Sequence, residues 1–133
     1  DVSASGAFTT PVSGSAAAPI FPDEKYELQF TASQGDMLSF ATMLVQSNDL
    51  FIAPESISLF MNETPMSGDI TSYLKLWDAK TEVNEAPGAG MHQAPRQPGA
   101  NTGMEETGNV ELVHDMYTYP AVEDMLKVTL TLN

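Results

Sequence analysis

The chain has 133 residues, and 42% of them are hydrophobic, which is enough to build the core of one domain. Eighteen acidic residues against five lysines and arginines give a formal charge of −13, so nucleic acids and anionic membranes are poor partners and cations are favourable ones. Because there is no cysteine, disulfides, thiolate zinc sites and cysteine nucleophiles are excluded. The alternative explanation of the acidic residues is that they keep the protein soluble.

The N-terminal segment differs in composition from the rest of the chain. Asp1 to Pro22 is dominated by Ala, Ser, Thr, Gly and Pro, so residues 1–18 are predicted to be an arm or an edge strand of a single domain that covers residues 1–133. A chain that begins with Asp1 and shows no leader fits a secreted protein after removal of its signal peptide, and it fits a shortened chain equally well. No stretch reaches the roughly 20 apolar residues of a transmembrane helix, so no transmembrane segment is predicted.

Strand-type alternation recurs from Tyr26 to the C-terminus. In Lys25–Ala32, apolar and polar residues alternate, which predicts a half-buried strand. Met37–Val45 is apolar on both faces and predicts a strand that is buried on both sides. Further strands are predicted at Leu50–Ala53, Ile57–Met61, Tyr73–Trp77, Val110–Val113 and Leu126–Leu132.

Helical periodicity is nearly absent, and one short turn is predicted at Val122–Met125. Short strands separated by turn residues favour an all-β fold, an antiparallel β-sandwich or barrel, over an alternating α/β fold. Glu82–Asn109 is a long loop rich in Pro and Gly. Loops of this length in compact domains are usually functional or disordered, so we expect contacts that tie it down, the alternative being a mobile surface loop.

Three acids lie in loops that follow apolar strands. Asp49 ends the segment Gln46–Asp49, and Asp78 and Glu82 belong to Trp77–Glu82. Ca²⁺ is bound by about six to eight hard oxygen ligands that loops bring together. If the two loops lie at the same end of the fold, the carboxylates repel one another and a cation stabilises them. The spacing therefore predicts a Ca²⁺ site at Asp49, Asp78 and Glu82, although acids at strand ends are also common by chance.

Several ordered motifs between Pro19 and Asn133 closely resemble the spondin domain family, and its bacterial branch in particular. They are Gly35-Asp36-Met37-Leu38-Ser39-Phe40-Ala41-Thr42-Met43, Gln46-Ser47-Asn48-Asp49-Leu50-Phe51, Ser67-Gly68-Asp69-Ile70-Thr71, Leu76-Trp77-Asp78-Ala79-Lys80-Thr81-Glu82-Val83-Asn84-Glu85, Gln93-Ala94-Pro95-Arg96-Gln97 and Asn101-Thr102-Gly103.

The resemblance implies an extracellular antiparallel β-sandwich similar to calcium-dependent membrane-binding domains. It implies a bound Ca²⁺ whose ligands fall on Asp49, Asp78 and Glu82 of this chain. The function expected from it is a secreted, non-enzymatic module for adhesion or for binding to the extracellular matrix or cell surface, with an extracellular protein or a glycan as partner.

The chain departs from the family at two places. The family motif commonly has Gly where this chain has Lys80, which would put an ammonium near the ion. The family's N-terminal portion, with further strands, is not found before Pro19. Such a sandwich would expose an edge that another copy could fill, which gives the alternative function, a self-assembling structural subunit of a filament or coat that uses strand exchange. A complete smaller sandwich, or a processed precursor, would explain the same absence.

No catalytic residues are predicted. The pairs Glu82 with Glu85 and Glu105 with Glu106 could serve glycoside chemistry, but paired acids on polar loops are usually solvated charges. His92 and His114 have neither a nucleophile partner nor a metal-type spacing. Carbohydrate stacking on Trp77, Tyr117 and Tyr119 is an alternative to their packing in the fold.

Overall fold

The computed structural model describes residues 2–133. The chain divides into two compact units, one that ends at Ser33 and one that runs from Gln34 to Asn133, and each is described by itself. The single domain over residues 1–133 stays a prediction.

The first unit is held by local contacts. Its described residues, 2–33, contain turns and irregular backbone but no helix or strand. Two backbone hydrogen bonds join its parts, from Val12 N to Lys25 O at 2.9 Å and from Ala18 N to Thr9 O at 3.0 Å. The rings of Phe8 and Tyr26 stack with their centroids 5.8 Å apart.

The strand predicted at Lys25–Ala32 is therefore wrong. Its alternation anticipated a buried face, but Leu28 and Phe30 are 41% and 42% exposed, because no neighbouring strand pairs with this segment. Of the predicted arm or edge strand at 1–18, residues 2–18 contain no strand, and Asp1 lies outside the described residues.

The second unit, which is described throughout, consists of short antiparallel strands with one helix and one 3₁₀ helix. In chain order its elements are β1 (Met37–Leu38), β2 (Thr42–Met43), β3 (Leu50–Pro54), β4 (Ile57–Ser58), β5 (Phe60–Met61), β6 (Thr64–Pro65), β7 (Gly68–Asp69), the 3₁₀ helix Thr71–Tyr73, β8 (Leu74–Asp78), β9 (Glu111–Leu112), α1 (Val122–Met125) and β10 (Thr129–Leu130).

A four-stranded sheet in the order β2-β3-β8-β9 forms the centre of this unit. Its longest ladder joins β3 to β8 and runs from the pair Leu50 with Asp78 to the pair Pro54 with Leu74. Residues directly opposite each other in an antiparallel ladder lie on the same face of the sheet. One face of this ladder is thus lined by alternate residues of both strands.

That face carries the hydrophobic core. Leu50, Ile52, Leu74 and Leu76 form one buried cluster, against which α1 packs Val122 and Met125 among other half-buried side chains. Asp78 continues the row of Leu74 and Leu76 at a spacing of two and is only 1% exposed. The core of the sheet therefore ends in a buried carboxylate.

The remaining strands form three two-stranded ladders, β1 with β4, β5 with β6, and β7 with β10. β5 and β6 are joined by Asn62 and Glu63, which both have positive φ, at 47° and 70°. Such a two-residue connection matches the twist of a hairpin.

The predictions at Leu50–Ala53 and Tyr73–Trp77 are confirmed as β3, which ends one residue later, and as β8, which begins and ends one residue later, and the turn at Val122–Met125 is confirmed as α1. Two predicted strands are shorter in the structure: Val110–Val113 contains only β9, and Leu126–Leu132 contains only β10. The strand predicted at Ile57–Met61 is divided between β4 and β5.

The single doubly buried strand predicted at Met37–Val45 is wrong. It is divided into β1, which pairs with β4, and β2, which pairs with β3. Because the segment changes partners, its second apolar face is not covered, and Met37 and Met43 are 54% and 45% exposed.

The all-β, antiparallel character predicted from the sequence is confirmed. The strands of the described residues pair in antiparallel ladders, and the α-helix among these residues is only four residues long. Within residues 2–133, no helix has both the length and the hydropathy required to cross a bilayer.

Truncation of Leu50, which is fully buried in β3, is expected to remove packing contacts from the central ladder. We predict that Leu50→Ala lowers the free energy of unfolding by about 2–5 kcal/mol, whereas Met116→Ala, at a residue that is 87% exposed, changes it by less than about 0.5 kcal/mol. Denaturant titration of both variants measures this difference. Equal losses would show that Leu50 does not belong to the core.

Candidate metal centre

The pairing of β3 with β8 brings the two acidic loops together. Asp49 directly precedes β3, Asp78 is the last residue of β8, and Leu50 is paired with Asp78 in the ladder. The loop before β3 and the loop after β8 therefore lie at the same end of the sheet. Ser47 shapes the first loop, because its hydroxyl accepts a hydrogen bond from Leu50 N at 3.1 Å.

Asp49 holds the second loop. Its Oδ2 accepts hydrogen bonds from Thr81 N and Thr81 Oγ1, both at 2.7 Å, and from Glu82 N at 3.0 Å. Its Oδ1 is buried and has no hydrogen-bond donor among the described residues. Oδ2 thus organises the loop. Oδ1 is buried without the hydrogen-bond donor or cation that a buried carboxylate oxygen normally contacts.

Asp78 is surrounded by donors. Its Oδ1 accepts a hydrogen bond from Lys80 N at 2.8 Å, and its Oδ2 accepts one from Asn84 Nδ2 at 2.7 Å. The amide of Asn84 is oriented by this bond, and its Oδ1 is a second buried oxygen with no donor in the described part of the chain.

Glu82 is 4% exposed and connects to the long loop. Its Oε1 accepts a hydrogen bond from Gly103 N at 3.1 Å, while Asn48 Nδ2 lies 3.5 Å from its Oε2. A Cβ at residue 103 would lie 2.9 Å from Glu82 Oε2, so a larger residue at this position would displace the Glu82 carboxylate. Backbone hydrogen bonds from Val83 N to Met104 O and from Glu106 N to Thr81 O flank this contact.

The long loop Glu82–Asn109 is tied down, as expected, by residues to which the sequence assigned no role. Glu85 Oε2 accepts hydrogen bonds from His92 N at 2.8 Å and from Asn48 Nδ2 at 3.2 Å. Gln93 is fully buried, and its Nε2 donates to Ala86 O at 2.8 Å. Arg96 Nε donates to Gly90 O at 2.7 Å. The long loop is therefore held together by hydrogen bonds between polar groups and not by packing of apolar side chains.

The contacts of Glu85 also determine its titration. Burial raises the pKa of this carboxyl, but the hydrogen bonds from His92 N, the His92 ring and Asn48 outweigh burial and hold the pKa below its ordinary value of 4.5. Reasoning from the sequence considered Glu85 only as half of an acid pair and missed the contacts that Glu85, Asn48 and Gln93 make with the long loop, because their places in the quoted motifs do not specify which side chains meet.

An open pocket of about 370 Å³ lies beside the two loops and is lined by Asp49 and Glu82 on its acidic side. Met43 and Phe51 line its apolar side, and Gln97 and Asn101 of the long loop complete it. A path from solvent to the acidic loops is one requirement of a metal site.

Among residues 2–133, no group of three or more His, Asp or Glu side chains is close enough to hold a single metal ion. An ion bound by Asp49, Asp78 and Glu82 together would therefore require these side chains to rearrange. The chemistry of the donors nevertheless suits Ca²⁺, because all of them are hard carboxylate or amide oxygens, and Asp49 Oδ1 and Asn84 Oδ1 are buried without a donor.

The aromatic residues considered for carbohydrate stacking make contacts within the fold. Trp77 is half-buried, and its Nε1 donates to Ala53 O at 3.0 Å. Tyr119 donates from its hydroxyl to Asp115 Oδ2 at 2.8 Å, and burial, together with this bond, raises its pKa.

Comparison of the chain with protein-family models, with curated proteins and with solved structures yields no match. The resemblance to the spondin domain family therefore rests on the sequence motifs and stays a prediction.

Neutralisation of Glu85 should weaken the long loop in a pH-dependent manner. Because the folded pKa of Glu85 is lowered, its stabilising contribution is complete above 4.5 and is lost as the pH falls through the folded value. We predict that Glu85→Gln lowers the Tm at pH 7 and that its difference from the native chain closes below pH 4.5.

Thermal melts across this pH range measure the effect, and Glu123→Gln, at an exposed acid of α1, is the matched control that should show no such convergence. A Tm difference for Glu85→Gln that is the same at every pH would contradict the prediction.

Proposed function

We propose that this protein is a secreted, non-enzymatic β-sandwich module of the spondin type that binds Ca²⁺ through Asp49, Asp78 and Glu82 and functions in adhesion to the extracellular matrix or cell surface. The observation that carries the calcium proposal is Asp49 Oδ1, a buried carboxylate oxygen that has no donor within residues 2–133 and lies where the two acidic loops are joined. A buried anionic oxygen without a donor is costly, and a cation removes that cost.

The charge around the loops supports a cation as ligand. The loops that carry Asp49, Asp78 and Glu82 lie at one end of the sheet, and Glu85 contacts Asn48 of the same loop pair. Carboxylates drawn together in a partly desolvated site repel one another, so a divalent ion that binds them as they rearrange offsets this repulsion and stabilises the folded protein. Deeply buried Asp78 and Glu82 gain most from such an ion, since solvent screens them least.

The polar contacts that these acids make already suggest how the ion would couple to the loops. Asp49 organises residues 81 and 82, and Glu82 accepts a hydrogen bond from Gly103 of the long loop. A ligand that draws the carboxylates together therefore acts on both acidic loops and on the long loop. The partner in adhesion is proposed to be an extracellular protein or a glycan, because the charge of −13 disfavours nucleic acids.

A calcium titration followed by thermal melting tests the ion. A ligand that binds only the folded state adds about 3 kcal/mol at a hundredfold excess over Kd, which corresponds to a rise in Tm on the order of 10 °C. We expect this rise with millimolar Ca²⁺ relative to chelator in the native chain, and we expect Asp78→Asn to abolish it.

The readout is the difference in Tm between calcium and chelator, so a lower overall stability of the variant does not affect the conclusion. Glu123→Gln removes the same charge from an exposed site on α1 and should retain the full rise. An identical Tm in calcium and chelator for the native chain would remove the ion from the proposal.

A second candidate function, self-association into a filament or coat, is favoured by the exposed apolar side chains of the first unit. Phe21, Leu28 and Phe30 are 67%, 41% and 42% exposed, although Leu28 and Phe30 follow a strand-type alternation. A segment with strand character and no strand partner can pair with the sheet edge of a second copy. The charge of −13 opposes such contacts, so association should increase with ionic strength.

The molar mass in dilute solution distinguishes this function from that of a monomeric module. If strand exchange occurs, the native chain forms oligomers at high salt, and Leu28→Ser combined with Phe30→Ser restores the monomer. Met116→Ser, at an exposed residue of the second unit, should leave the oligomers intact. A native chain that stays monomeric over all salt and protein concentrations would eliminate self-assembly.

A further inference from the structure

Lys80 lies among three carboxylates that belong to different parts of the second unit. Its Nζ is 3.1 Å from Glu106 Oε1, 3.2 Å from Glu111 Oε1 and 3.6 Å from Asp78 Oδ2. The side chain is only 19% exposed. The ammonium of Lys80 is thus held between carboxylates on three sides.

The ladder explains why a cation is needed here. Asp78 of β8 is paired directly with Glu111 of β9. Like charges at directly opposite positions of an antiparallel ladder destabilise it, and the ammonium of Lys80 lies within 4 Å of both carboxylates. The ion pairs of Lys80 thus offset a repulsion that the strand register creates.

The backbone at residue 80 adopts a conformation that is costly for a lysine. Lys80 has φ of 59°, in the left-handed region that favours glycine over residues with a Cβ. The chain also comes close to its stem, since a Cβ at Gly108 would lie 3.2 Å from Lys80 Cβ. The stem of Lys80 thus passes close to Gly108, and its ammonium contacts the acidic residues.

We propose that Lys80 is a built-in counter-ion that neutralises Asp78 in the calcium-free protein and competes with Ca²⁺ for this carboxylate, so that it sets the affinity of the site. This inference rests on the proposed calcium function. In this inference, Lys80 sets the affinity of the site for Ca²⁺. Because Lys80 also contacts Glu106 and Glu111, calcium binding at Asp78 would affect the segment 106–111 as well.

The expected size of the competition follows from distance. A Ca²⁺ ion on Asp78 Oδ2, at the usual distance of about 2.4 Å, would lie within about 6 Å of the ammonium, given the 3.6 Å between Oδ2 and Nζ. Even with the dielectric constant of water, the repulsion between the two cations weakens binding by about tenfold at this separation. A lower effective dielectric constant at this largely buried position increases the factor.

The test compares the native chain with Lys80→Met, which removes the charge and keeps an apolar stem, by calorimetric titration with CaCl₂ and by thermal melting in chelator. We expect Lys80→Met to bind Ca²⁺ about tenfold more tightly or better, and to melt below the native chain in chelator because Asp78 and Glu111 then face each other unneutralised. Lys80→Arg keeps the charge and should retain the native affinity.

Lys75→Met is the matched control, since Lys75 lies on β8, just before the loop that carries Lys80, and pairs with Glu55 at 2.7 Å, away from the acidic loops. It should not tighten calcium binding. Lys80→Gly provides a second variant without the ammonium, and it relieves the left-handed strain, so it serves if Lys80→Met does not fold.

Native affinity for Ca²⁺ in both Lys80→Met and Lys80→Gly would overturn the inference and leave the proposed function intact. Absence of calcium binding in the native chain and in every variant would instead overturn the proposed function, and the competition with it. Tighter binding by Lys80→Met together with tighter binding by Lys75→Met would show a general effect of net charge and would also overturn the specific role of Lys80.

Discussion

The candidate site depends on one pairing, that of Leu50 with Asp78 in the ladder between β3 and β8. This register continues a row of buried leucines directly into an aspartate and places that aspartate beside the loop that carries Asp49. A slip of one residue would turn Asp78 to the opposite face and expose the leucines, so the hydrophobic core and the buried carboxylate require the same alignment. The position of the acidic site is thus determined by the packing of apolar side chains.

Around this pairing, hydrogen-bond donors from the loops of the second unit stabilise the buried carboxylates. Asp49 accepts three hydrogen bonds at one oxygen, Asp78 is held by Lys80 and Asn84, and Glu82 by Gly103. Hydrogen bonds to ionised acceptors are the stronger kind, and they keep buried carboxylates tolerable in a protein of large negative charge. In the part of the chain that the structure describes, two buried oxygens, Asp49 Oδ1 and Asn84 Oδ1, have no donor, and these are the oxygens that the proposed cation would satisfy.

The elements that sequence patterns predicted well are those that pair with one partner over their whole length or that form within a few consecutive residues. β3 and β8 have short, strongly apolar alternation and pair with each other over their whole length, and α1 is a local turn. Met37–Val45 shows an equally apolar pattern, yet it is shared between two ladders, because its partners β4 and β3 belong to different sheets. Lys25–Ala32 has the clearest alternation near the N-terminus and forms no strand, because a strand needs a partner and not only a pattern.

By itself, the sequence determined the antiparallel all-β character, the absence of thiol chemistry, and the placement of Asp49 and Glu82 in loops next to strands and of Asp78 where a strand ends, because composition and local alternation suffice for these. Only the tertiary structure decided that Asp78 lies in the core row, that Glu85, Asn48 and Gln93 close the long loop, and that Lys80 bridges Asp78 to Glu111. These contacts join residues that are far apart in the chain, and a local pattern specifies which face a side chain occupies but not which distant residue it meets there.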